Sequence, residues 1–253
     1  MKQLMVFIKK ELLESLRQYR LFILLTVFIV FGLLSPATAK FMPELLKSLT
    51  TEGITITLPP PVYLDSWLQF FKNMSQMGLI VVIILYGGIL ADEFNKNTIE
   101  LLRTKGLSSF SIVAGKFIGA ALVLGLSYLI GFLVSVIYAA IYFEGALSSE
   151  IIAGVFALLL FYLLLVAFFI FFATWIRKLV GVMLASGLSI MLLFLLNIKE
   201  SFAKFNPVSL LSLGGVLAGD SGVADYTGAF VITLVLIAVL LIAGVLILEK
   251  RDL

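Results

Sequence analysis

Few side chains in this sequence are equipped for covalent chemistry. Gly219-Asp220-Ser221-Gly222 has the form of a serine protease nucleophile loop. A serine attacks only when a neighbouring base takes its proton, and the chain contains no histidine. It contains no cysteine either, which removes disulfides, thiolate nucleophiles and Cys/His zinc sites. The loop is therefore expected to be an outer turn. Gly115-Lys116 is the one Gly-Lys pair that can be tested as the end of a P-loop. Phe117 follows it where Ser or Thr is required, and Phe110 stands where the first glycine belongs. No nucleotide, metal or catalytic site is expected, so the chain is not read as an enzyme.

The remaining chemistry is ionic. Asp92-Glu93 is expected to form salt bridges with Lys96 and Arg103 at a membrane edge, while Glu144 and Glu150 flank a solvated turn. These residues punctuate a very apolar chain. Of 253 residues, 62% are hydrophobic and 13% charged, against about 25% charged in soluble domains. No single core hides that much apolar surface, so lipid must cover much of it.

Six windows carry no charge: Leu21–Ala39, Asn73–Ala91, Phe117–Phe143, Ile151–Ile176, Leu179–Ile198 and Tyr226–Leu248. A spanning helix needs about 20 apolar residues, so each window crosses once and none crosses twice. The windows lack the alternation of barrel strands. The expected fold is an all-α integral membrane protein in a single transmembrane domain, residues 1–253. The positive-inside rule sets the orientation. With both ends cytoplasmic, 13 of the 18 Lys and Arg residues lie inside. A basic start, an apolar run and Ala37-Thr38-Ala39 also match a cleavable secretory signal; the expectation is a retained span.

The connections carry the detail. In residues 1–20, Leu4, Met5, Ile8, Leu12, Leu16 and Tyr19 make an apolar stripe with Lys10, Glu14 and Arg17 opposite. This is expected to be an amphipathic elbow helix lying on the cytoplasmic headgroups. Residues 40–72 form the largest outer segment, with Pro59-Pro60-Pro61 followed by Trp67, Phe70 and Phe71 as an interfacial return. Arg177-Lys178 is a very short inner turn. Within 199–225, Val208–Leu213 is too short to span, leaving a re-entrant segment or a plain loop as alternatives. Gly119-x5-Gly125 and Gly181-x5-Gly187 either allow close helix approach or face lipid.

The cytoplasmic segment 92–116 mixes apolar and charged side chains, as a docking surface does. Asn97 or Thr98 is positioned to cap a short helix, Ile99, Leu101 and Leu102 give it apolar contacts, and Gly106 ends it. Ser108 or Ser109 caps the next helix, which carries Lys116 toward the membrane.

Several motifs stand in order along this chain. They are Phe7-x-Lys9-x-Glu11 with Arg17, then Glu93-x4-Thr98-Ile99-Glu100-Leu101-Leu102, then Lys105-Gly106-x-Ser108 to Gly115-Lys116, and finally Leu248-Glu249-Lys250-Arg251-Asp252. In that order, with six spans, they resemble the permeases of type-2 ABC exporters. Asn97 departs from the pattern, standing where those permeases often have glycine. The resemblance implies a coupling helix carrying Glu93, Thr98, Ile99, Glu100, Leu101, Leu102, Arg103, Lys105 and Gly106, docked on a separate ATPase subunit. It implies an elbow helix with Lys9, Lys10, Glu11 and Arg17 at the same contact. It further implies a second permease copy or paralogue and a multi-pass location in a prokaryotic plasma membrane. ATP and magnesium would belong to the partner, with no cofactor in this chain and no nucleic-acid partner. The expected cargo is amphiphilic: a peptide, lipid or drug. A secondary transporter or channel not driven by ATP is the alternative reading.

Overall fold

The computed structural model describes residues 2–49, 59–212, 217 and 222–250. The described residues are overwhelmingly helical, and no strand occurs among them. Helix α1 spans Lys2–Arg17, α2 Arg20–Leu49, α3 Tyr63–Asn73 and α4 Leu79–Tyr86. Two short helices follow, α5 at Ala91–Asn95 and α6 at Thr98–Thr104. The long helices α7 (Ser109–Tyr142), α8 (Ser149–Ile176) and α9 (Leu179–Leu196) precede α10 (Glu200–Ala203) and α11 (Thr227–Lys250).

Six stretches are long and apolar enough to cross a bilayer: Arg20–Glu44, Tyr63–Asn95, Ser109–Tyr142, Ser149–Ile176, Leu179–Leu196 and Val223–Lys250. Helix α8 is the centre of the bundle and α9 its most exposed member, with 67% and 11% of their apolar windows buried. Along α9, Val180, Leu184 and Leu188 point outward, a surface suited to lipid rather than water.

The helices overrun the uncharged windows. Helix α2 continues to Leu49 although Pro36 and Pro43 lie inside it. Each proline costs the helix one backbone bond, to Gly32 O and Ala39 O, a loss that a membrane helix tolerates. Ser35 Oγ donates to Phe31 O at 2.6 Å, and Thr38 Oγ1 donates to Leu34 O. Part of the segment expected as an outer loop is therefore helix. The second span begins at Tyr63, before the expected Asn73. Trp67 and Phe70 are fully buried rather than interfacial. They continue a cluster in which Phe28, Tyr128 and Tyr162 lie 5.6 to 6.1 Å apart, centroid to centroid. A π-helical turn at Met74–Gly78 joins α3 to α4, and Tyr162 Oη donates to the Met74 carbonyl at 2.6 Å.

Close crossings follow the glycines. A Cβ on Gly32 of α2 would meet the Gly131 carbonyl of α7 at 2.3 Å. By contrast, Gly125 and Gly187 have open space beside them, while Gly119 receives Glu11 of α1 and Gly181 receives Ile176 at the end of α8. Pro207–Ser212 forms a 3-10 segment with Val208 and Leu210 buried, packed against α8, α9 and α11. Asn206 anchors it, its Nδ2 donating to Leu193 O at 2.6 Å and its Oδ1 accepting from Val208 N at 3.0 Å. Gly219, Asp220 and Ser221, Gly214 and Gly215, and Arg251 and Asp252 lie outside the described residues.

Candidate functional site

Helix α1 and the α5–α6 segment meet at the first turns of α7. Ser108 caps α7, its Oγ accepting from Ser111 N at 3.2 Å. The helix thus begins at the expected serine cap, ahead of the uncharged window that starts at Phe117, and Gly115, Lys116 and Gly119 fall inside it. Gly115 and Gly119 stand one turn apart and open a groove for α1. A Cβ on Gly115 would lie 2.4 Å from the Phe7 ring, and one on Gly119 would lie 2.8 Å from Glu11 Cβ.

The face of α1 seated in this groove is Phe7, Glu11 and Ser15, all buried. It is not the apolar stripe read from the sequence, since Met5, Leu16 and Tyr19 are exposed. An acid and a serine at the buried positions disguise the inward face. The visible signal was Gly115-x3-Gly119, a spacing that admits a second helix.

The groove holds a knot of charge. Lys116 is 1% exposed and bridges Glu11 at 2.9 Å and Glu93 at 2.6 Å. Lys10 bridges Glu11 at 2.8 Å, Glu14 at 2.6 Å and Glu93 at 2.9 Å. Three carboxylates against two ammoniums leave the knot with one net negative charge. Carboxylate oxygens of Glu11, Glu14 and Glu93 lie within 4.8 Å of one another, a spacing that suits a cation. The Lys10 ammonium touches all three, so a protein amine provides that positive charge. Buried charges are tolerated because each faces an opposite one; stranding one costs about 3–5 kcal/mol.

The electrostatics follow from the pairing. Burial disfavours the charged form of Lys10, but hydrogen bonds to Glu11 and Glu14 and the charge of Glu93 outweigh it. Its ammonium is held well above the usual lysine range. Burial likewise pushes Glu14 up, yet the Lys10 hydrogen bond and the charges of Lys116, Lys10 and Arg20 lower it overall.

The expected pairing of Glu93 with Lys96 and Arg103 is replaced by bonds to α1 and α7. Lys96 is exposed, and Arg103 Nη1 donates to Leu248 O at 3.1 Å, joining α6 to the end of α11. Glu93 is itself buried, so it offers little surface to any partner. Phe94, beside it on α5, lies under the Arg177 guanidinium of the α8–α9 turn at 5.2 Å. Asn97 precedes α6 at φ 55°, in the left-handed region that glycine adopts most readily and asparagine tolerates. Its side chain makes no capping bond there.

Of the remaining sequence-predicted residues, Ile99 is fully buried and Leu102 packs against the core. Thr98 is partly covered. Glu100, Leu101, Lys105, Gly106, Lys9 and Arg17 are exposed, Leu101 by 55%. Gln3 Nε2 donates to Gly106 O at 3.3 Å, so α1 and α6 form one continuous surface. The residues that sequence reasoning missed as part of this site are Phe7, Glu14, Ser15 and Lys116.

Six apolar spans and a polar end built from α1, α5 and α6 define a multi-pass membrane protein. The chain belongs to the family described as "Protein of unknown function (DUF2705)", whose model matches residues 60–253. It is similar to the uncharacterized transmembrane protein YxlG of Bacillus subtilis (strain 168), with 24% identity over 162 residues. That match covers 62% of this chain and 63% of the relative, so the chain spans a little under two thirds of that protein.

Proposed function

We propose that this chain is the membrane-spanning permease subunit of an ATP-driven exporter of the type-2 ABC class. In this reading it forms a substrate pathway with a second copy or a paralogue, and a separate ATPase subunit holds ATP and magnesium. Both termini and the α1, α5 and α6 end face the cytoplasm of a prokaryotic cell, and the cargo is amphiphilic.

The observation that carries the reading is a division of labour in the α5–α6 segment. Glu93 turns inward and ties α5 to α1 and α7 through Lys10 and Lys116. Leu101, Glu100 and Lys105 turn outward on α6, beside the exposed Lys9 of α1. An apolar side chain rimmed by charges suits a protein partner. The buried knot supplies a stiff link from that surface to the third span. Asn97 fits the same pattern, since its left-handed backbone suits the glycine that such permeases often carry.

The test is affinity purification of the full chain from its native membrane in mild detergent. An ATPase subunit is expected to co-elute stoichiometrically, and Leu101→Asp is expected to abolish that while leaving the thermal midpoint unchanged. A chain that purifies without an ATPase and moves substrate under an ion gradient alone would instead establish the secondary-transporter alternative.

A further inference from the structure

The second span carries a polar face that the described part of the bundle leaves partly open. On α3 the apolar side is spent inward, with Trp67, Phe70 and Phe71 buried. Asp65, Gln69 and Asn73 recur at four-residue steps on another side, with Lys72 and Gln76 alongside. Gln69 Nε2 donates to Asn73 Oδ1 at 3.3 Å, and Asn73 Nδ2 donates to Ser35 Oγ of α2 at 3.0 Å. Lys72 and Gln76 are exposed, and among the described residues the Lys72 ammonium has no partner. Asp65, Gln69 and Lys72 precede the uncharged window Asn73–Ala91 on a helical stretch that crosses the bilayer, Tyr63–Asn95, and so stand at its headgroup end. At that level the face meets lipid headgroups, water or protein.

Beside this face lies a crevice of about 370 Å3 between α2 and α3, lined by Met42, Pro43, Pro61, Asp65, Gln69 and Lys72. Its charges are ordered along the span. Asp65 stands at the start of α3, remote from the α1, α5 and α6 end, and Lys72 lies two turns nearer the middle of the bilayer, a rise of about 10 Å. Helical side chains lean toward the helix N-terminus, so the lysine arm reaches back toward the aspartate. Beyond Lys72, Met77 and Ile80 are half exposed.

We propose that this crevice binds a zwitterionic phospholipid of the outer leaflet. The order of groups selects that ligand. A phospholipid in a bilayer carries its ammonium outermost, its phosphate below it, then ester carbonyls and acyl chains. Asp65 faces the ammonium, Lys72 and the Gln69 amide face the phosphate, and the Gln76 amide is placed for an ester carbonyl. Met77 and Ile80 then accompany the chains. Phosphatidylglycerol puts a neutral glycerol where the ammonium would stand, so Asp65 loses its charge partner.

The proposal rests on the spanning orientation of α2 and α3 and not on coupling to an ATPase, so a failed exporter reading leaves its test intact. Full-length protein in maltoside detergent is titrated with short-chain phosphatidylethanolamine or phosphatidylglycerol, and bound lipid is counted by native mass spectrometry. Phosphatidylethanolamine is expected to bind at least tenfold more tightly. Lys72→Gln is expected to weaken both lipids, Lys72→Arg to retain binding, and Asp65→Asn to erase the preference while phosphate binding persists. Equal affinity for the two lipids, or indifference to all three substitutions, would overturn the proposal. So would a change in oligomeric mass on Lys72→Gln, because a second protein copy would then be the occupant of this face.

Discussion

Replacing Lys116 by methionine is the sharpest probe of the knot that joins α1, α5 and α7. Methionine keeps most of the lysine stem, so packing is nearly conserved while the ammonium disappears. Glu11 and Glu93 then lose their contacts at 2.9 and 2.6 Å, and only Lys10 remains to oppose three carboxylates. Net charge falls from one negative to two, in a site where the lysine is 1% and the two acids 5% and 6% exposed. Breaking a buried pair in this way costs about 3–5 kcal/mol. For a chain of this size that corresponds to a midpoint lowered by roughly 6 to 20 °C. The assay is thermal unfolding in detergent, followed by tryptophan fluorescence. The double variant Lys116→Met with Glu93→Gln returns the knot to one negative charge and is expected to recover at least half of the loss. Lys116→Arg keeps the charge and serves as the control if the methionine variant folds poorly. A midpoint within 2 °C of the parent for Lys116→Met would refute the argument, as would a double variant losing the sum of the two single losses.

Two further predictions test the same seam. Gly115→Leu is expected to drive α1 off α7, because the first added carbon already meets Phe7; the overpacking costs roughly 1–3 kcal/mol. Thermal unfolding in detergent checks it: the midpoint should fall by roughly 2 to 12 °C, and an unchanged midpoint would refute the groove. The pH dependence follows from the two displaced groups. Glu14 is lowered from its ordinary 4.5, so its contribution is full above that value and fades as pH falls through the depressed one. Lys10 is raised from 10.5, so its contribution is full below that value and fades as pH climbs past it. The thermal midpoint should therefore be flat between about pH 5 and 10 and fall on either side, and Glu14→Gln should flatten the acid limb. An unchanged acid limb in that variant would remove Glu14 from the account.

What the sequence shows plainly is whatever lipid demands. A helix in hydrocarbon must exclude charge over about 20 residues, so six windows read directly as six spans. Helix ends obey other rules and are less legible. The serine cap of α7 is legible, but the burial of Lys116 inside that helix is not, because its partners come from α1 and α5. Proline does not end α2, which runs on through Pro36 and Pro43, as membrane helices tolerate. Trp67 and Phe70 read as interfacial from their place after three prolines, yet they are buried in the core against Phe132 and Tyr128 of α7.

The knot illustrates the harder limit. Glu93 has Lys96 and Arg103 as near neighbours in sequence, and a local reading pairs them. The actual partners are Lys10 and Lys116, brought in by a groove that two glycines open for α1. A carboxylate leaving water gains most from cations that are themselves held out of water, because a lower effective dielectric strengthens the pair. Lys96 at the exposed surface offers a screened charge, whereas Lys116 in the groove offers an unscreened one. Burial of the partner thus decides the pairing over proximity along the chain. The same reasoning separates the two polar features of this protein. In the knot, opposing charges converge and partner one another. On the α3 face, Asp65 and Lys72 stand two turns apart and the Lys72 ammonium has no partner among the described residues, which is why the knot acts as an internal tie and the α3 face calls for a ligand.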